Sequence, residues 1–240
     1  MQLQPKSRFL DQTIVGIALV LPTIVTWVYF ILLNDAPELL QKAAYSVGKL
    51  IQFALPVVWV CLIRRERQNL NRPSAWSLIT GALFGLLVAA AMYLLFVVLK
   101  QRGILVQPIA AVRAKIESFG VSSPEKFAVL AIFYSAFHSL LEEYYWRWFV
   151  FGQLSRSCRL PAAIIISGAG FAAHHILVLS LYFGWASPLT WLFSLAIAIG
   201  GAFWAWLYRA SDSLAAPWLS HALVDAAIFA FGYQILTTAG

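Results

Sequence analysis

Seven apolar stretches run over residues 13–33, 45–63, 76–99, 127–151, 161–183, 190–208 and 214–236. Each is close to the roughly 20 residues that an α-helix needs to cross a bilayer. A chain so patterned has too little polar surface to cover its apolar helices in water. Only 11% of its 240 residues are charged and 61% are hydrophobic, whereas a soluble domain carries about 25% charged residues. The expected fold is all-α, a polytopic membrane helix bundle of about seven transmembrane helices in one membrane domain, residues 1–240. The second stretch is the weakest, because Lys49 and Pro56 interrupt it and call for a tilted or re-entrant helix.

Between the third and fourth stretches, residues 104–119 place Leu105, Ile109, Val112, Ile116 and Phe119 at helical spacing among Arg113, Lys115 and Glu117. That pattern predicts one interfacial amphipathic helix. No internal repeat is visible, which argues against a repeat-built transporter.

The net charge of +7 does not indicate nucleic acid, because the basic residues sit in short loops beside apolar spans. Lys6 and Arg8, the cluster Arg64, Arg65, Arg67 and Arg72, then Arg156 and Arg159, then Arg209 fall on one side if seven helices alternate. That side is expected to be cytoplasmic, which puts the N-terminus inside. Lys100, Arg102, Arg113, Lys115 and Lys126 run against the rule. Lys6 and Arg8 precede an apolar run too long for a signal peptide and without a small-residue cleavage site, so a retained first helix is expected. Cys61 and Cys158 form neither a CxxC pair nor a disulfide framework.

Residues 127–141 contain no charged residue, and then Glu142, Glu143 and Arg147 appear among Tyr144, Tyr145, Trp146 and Trp148. Ionisable groups inside a span are costly and point to function by default. In an α-helix, residues four apart share a face and neighbours diverge by about 100°. Glu143 is therefore set to pair with Arg147, and Glu142 shares a face with His138. The same spacing puts Phe171 with His175, and His221 with Asp225. At about 1.5 Å per residue, Glu142, His175, His221 and Asp225 all fall roughly 10 to 20 Å from the cytoplasmic ends of their helices, so one buried cavity is expected to hold them.

With Glu142-Glu143-x-x-x-Arg147, Phe171-x-x-x-His175 and His221-x-x-x-Asp225 in this order, the chain resembles the CAAX-processing and bacteriocin-processing intramembrane endopeptidases, also called the Abi or type II CAAX protease family. The likeness covers residues 127–236 as a motif-bearing core; residues 1–126 carry little of it. Trp148 stands where the family commonly has Gly, and Asp225 where Asn is frequent. The resemblance implies that Glu142 and His175 activate a water that attacks a peptide carbonyl, with His221 and Asp225 on its other side. Glu143, Arg147, Phe171 and His138 are then supporting residues, and orientation of His221 is the role expected of Asp225. The implied substrate is a membrane-tethered peptide or protein met in the lipid bilayer.

No cofactor is expected, although Glu142, His175, His221 and Asp225 are all acceptable zinc ligands and the His-Glu-x-x-His signature of metalloproteases is absent. The competing structural account makes Glu142, Glu143 and Arg147 an ion-pair network, and the histidines interhelical hydrogen bonds. The competing functions are a catalytically silent membrane protein that binds a partner or confers immunity, and a proton or ion carrier that uses the same residues as a relay. The chain closes on Thr237-Thr238-Ala239-Gly240, so it is not expected to be a CAAX protein itself.

Overall fold

The computed structural model describes residues 5–66, 71–118, 120–121 and 123–237. Arg67 of the basic cluster and Phe119 of the amphipathic segment lie outside the described residues, as do the side chains of Lys6 and Arg8. The described residues form eight helices, six of them long and apolar enough to cross a membrane. We number them α1 (5–32), α2 (38–63), α3 (Ala75–Gln101), α4 (Val106–Ser118), α5 (124–157), α6 (Leu160–Phe183), α7 (Pro188–Ser211) and α8 (Ala215–Thr237). The described residues are all-helical and form a polytopic bundle, as the hydropathy predicts. Large apolar side chains such as Trp76 and Leu87 are 76% and 68% exposed, a surface suited to lipid rather than water.

The remaining apolar stretch, 127–151, lies in α5 and is not among the six. Its helix alternates α-turns with two π-helical segments, Phe133–His138 and Tyr144–Phe151, on either side of Glu142 and Glu143. π-Bulges of this kind recur at functional sites. The interrupted second stretch is also helical. It begins earlier than its hydropathy predicts, at Glu38, and Pro56 is followed by a π-helical segment, Val58–Ile63. Lys49 lies over the rings of Tyr45 and Phe53, 5.7 and 5.5 Å from their centroids, so its charge is met by aromatic faces inside the span.

Cα proximity groups the chain into two compact units. The first holds residues 1–71 and 144–206. In it, α1 packs on α2 and α6, and the end of α5 packs on all three. Tyr145, Trp146 and Phe149 are fully buried there. Helices α6 and α7 approach closely at Gly168, where a Cβ would stand 2.7 Å from the Ala198 carbonyl oxygen. The close packing of small residues replaces the hydrophobic effect, which lipid cannot supply between helices. Ion pairs from Asp11 to Arg64 (3.0 Å) and from Glu66 to Arg156 (2.8 Å) tie one end of this unit.

The second unit holds residues 72–143 and 207–240. Its largest interface joins α3 to α8. Gly81 and Gly85, a Gly-x-x-x-Gly pair, lie against the carbonyls of Ala216 and Ser220, with no room for a side chain at either position. Ser74 caps α3 by accepting from the Ser77 N–H at 3.1 Å, and Ser123 caps α5 from the Lys126 N–H at 3.3 Å. Helix α4 forms as its periodicity predicts, with Pro108 and Ile116 buried and Leu105 buried just before it. Arg113 donates to the Ile235 carbonyl at 2.9 Å, which satisfies a terminal acceptor of α8.

Candidate active site

Helices α5 and α8 bring Glu142, Glu143, His138, His221 and Asp225 together in the second unit. Glu142, Glu143 and His221 are 4%, 0% and 4% exposed. Burying three such groups is tolerable only when they satisfy one another. The shortest link is His221 Nδ1 to Glu143 Oε1 at 2.8 Å. A carboxylate only accepts, so Nδ1–H is the donor. The other ring nitrogen, Nε2, stands 3.7 Å from Glu142 Oε2 and 3.6 Å from Asp225 Oδ1. His138 Nδ1 lies 4.0 Å from Glu142 Oε2, on the face that the four-residue spacing predicts.

Asp225, the residue expected to orient His221, stands at 3.6 Å from Nε2, longer than a hydrogen bond, and the hydrogen bond at Nδ1 is made to Glu143. The reason lies in α8 itself. The four-residue step brings Asp225 alongside the imidazole, while Glu143 comes from another helix and meets Nδ1 directly.

Zinc ligands place their donor atoms about 2.0–2.3 Å from a common ion. Among the described residues, no three His, Cys, Asp or Glu side chains are gathered as such a set. The Nδ1–H of His221 is engaged by Glu143, a bond that a histidine can make whether or not its other nitrogen holds a metal.

In the first unit, α5, α6 and α7 gather Arg147, Phe171, His174 and His175. Phe171 has two contacts that its spacing alone does not reveal. Its carbonyl is 2.9 Å from His175 Nδ1, which makes Nδ1 the protonated nitrogen of that ring. Its side chain faces the guanidinium of Arg147, 4.8 Å from the ring centroid. Trp204 of α7 meets the same guanidinium at 5.2 Å. Arg147 is fully buried, and planar guanidinium against ring faces is the arrangement that favours Arg over Lys. His174 stacks nearly parallel on Trp146, with centroids 6.2 Å apart and planes at 7°, and its centroid is 4.0 Å from that of His175.

Trp204, Trp146 and Trp218 were not singled out by the sequence. Trp218 Nε1 donates to the Ala136 carbonyl at 2.9 Å beside the first π-helical segment. With ten tryptophans in the chain, nothing in the order of residues separates these three from interface or lipid-facing ones. Trp148, where relatives commonly have Gly, stacks on Tyr144 at 5.1 Å.

Residues 124–227 match the family model described as type II CAAX prenyl endopeptidase Rce1-like. All three motifs fall within the matched range. No curated protein and no solved structure matches the chain. The buried Glu/His cluster and the family match agree: residues 124–227 are a domain of the type II CAAX prenyl endopeptidase family, a family of proteases.

Proposed function

We propose that this protein is an intramembrane endopeptidase that hydrolyses a membrane-tethered peptide, with residues 127–236 as its catalytic core and its N-terminus in the cytoplasm. The observation that carries the proposal is the buried Glu142–His221–Glu143 group. Between Glu142 Oε2 and His221 Nε2 the 3.7 Å gap is too long for a direct hydrogen bond and short enough for one water to bond both.

In this mechanism Glu142 takes a proton from water as the water oxygen attacks the scissile carbonyl. General-base work of this kind contributes about 10² to 10⁴ in rate. His175 enters only through its motif, whose resemblance implies a part in activating water. His221, held at Nδ1 by Glu143, presents Nε2–H in its imidazolium form to the developing oxyanion. The proton on Glu142 then passes to the leaving amine, the C–N bond breaks, and the carboxylate returns. Asp225, beyond hydrogen-bond reach of the ring, is a polar neighbour rather than the group that sets its orientation. Arg147 is a supporting charge, embedded in aromatic rings.

The test is purified protein in liposomes, given peptides anchored by a lipid or a transmembrane tail, with cleavage and ion flux measured on the same preparation. Cleavage that Glu142→Gln removes supports the protease. Flux without cleavage would establish the carrier instead.

A further inference from the structure

Pro22 lies inside α1. A proline has no N–H, so in an α-helix the carbonyl four residues earlier loses its partner; here that carbonyl belongs to Ala18. Within a bilayer such a group must be satisfied by protein. The Tyr145 hydroxyl donates to the Ala18 carbonyl at 2.7 Å, a buried bond between residues 127 positions apart. Tyr145 and Ala18 are both fully buried. The neighbouring tyrosine reaches α2, where Tyr144 Oη donates to the Phe53 carbonyl at 3.3 Å, one residue beyond the Gln52 carbonyl that Pro56 deprives of its i+4 N–H.

We infer that Tyr145 is a positioning residue, whose hydroxyl replaces the N–H missing at Pro22 and thereby fixes the aromatic support of His175. The path lies within one compact unit. Tyr145 anchors the π-helical segment of α5 to α1. The next residue, Trp146, stacks on His174 and meets Phe171 edge-on at 5.9 Å. A Cβ at Gly170 would stand 2.9 Å from Trp146 Cζ3, so α6 rests on this indole with no slack. Phe171 in turn holds Nδ1 of His175. A shift of Trp146 therefore reaches the imidazole through packed groups. Both prolines and both accepting carbonyls lie outside residues 124–227, so helices beyond the family match set the geometry within it.

This inference rests on the protease proposal, and the experiment separates the two. Turnover of a tethered peptide and the thermal unfolding midpoint are measured for wild type, Tyr145→Phe, Pro22→Ala and the double variant. Tyr145→Phe removes only the hydroxyl. It should lower the midpoint by about 3 to 6 °C and kcat by about 10- to 100-fold with KM unchanged, the scale on which misplacement acts. Pro22→Ala returns an N–H to Ala18 and should keep kcat within about threefold, because the carbonyl has a second lone pair for the hydroxyl. In the double variant the midpoint should return while kcat stays low, since the helix is repaired and the anchor is still missing.

Recovery of kcat together with the midpoint would make Tyr145 merely structural and overturn the inference. Wild-type kcat in Tyr145→Phe, or an equal loss in Pro22→Ala alone, would overturn it too. If Tyr145→Phe alone does not fold, the double variant decides: low kcat in a folded protein supports the anchor and normal kcat rejects it. A wild-type protein that cleaves nothing would sink the protease proposal first and this inference with it.

Discussion

The two compact units each bury ionisable groups in apolar surroundings, and the neighbours seen within each unit differ in kind. In the second unit, acid meets base: Glu143 bonds His221 at 2.8 Å and Glu142 stands at 3.7 Å from the same ring. In the first, Arg147 is met by the faces of Phe171 and Trp204. Groups that exchange protons with one another can do chemistry. A guanidinium over aromatic rings keeps its charge at any pH where the protein folds. The difference teaches that burial of charge is not in itself a mark of reactivity; the chemical type of the neighbours decides.

The largest expected effect breaks the reactive side alone. Glu142→Gln keeps the shape of the side chain and loses the proton acceptor, so kcat should fall about 10² to 10⁴-fold while the unfolding midpoint holds. Near wild-type turnover of a verified substrate would remove Glu142 from the role of base. His221→Phe comes next, because it deprives Glu143 of its bonded partner. Breaking a buried pair costs about 3 to 5 kcal/mol, and His221→Phe combined with Glu143→Leu should regain much of the stability and none of the activity. Additive stability losses in that pair would argue against the link.

On the inert side, Arg147→Lys should cost about 1 to 2 kcal/mol of stability, since an ammonium cannot lie flat between two rings. Trp204→Leu should do similar damage, and the two changes together should be less than additive. Full additivity in chemical unfolding would mean that Trp204 packs without feeling the charge. Asp225→Asn should have the smallest effect, with turnover within about tenfold of wild type, because Asp225 stands beyond hydrogen-bond distance of the ring. The same preparations should keep their activity in a chelator. Stoichiometric zinc in active enzyme, with chelator-sensitive turnover that zinc restores, would reverse this assignment and make Asp225 a ligand.

The spans and the site were legible in the sequence to different degrees. Six of seven apolar stretches appear as helices long and apolar enough to cross a membrane, because hydropathy is a local property and lipid imposes helix on any apolar run. The α4 helix was legible for a similar reason, from its 3.6-residue period. The alternation of α and π turns around Glu142 and Glu143 was not, since π segments depend on how a helix is packed rather than on its residues. The extension of α2 back to Glu38 was missed as well. Glu38 and Lys42, an i,i+4 ion pair in the structure, read as loop on hydropathy alone.

The order of the sequence determined which residue types share a helix face. Glu142 with His138, Phe171 with His175, and His221 with Asp225 follow from four-residue spacing, because a helix repeats every 3.6 residues. Partners on different helices were left open, because hydrogen bonds between helices depend on rotation and depth that no single helix encodes. Only the tertiary structure decided that Glu143 rather than Asp225 holds His221. Only it placed Trp204 on Arg147 and the Tyr145 hydroxyl on the carbonyl that Pro22 leaves open.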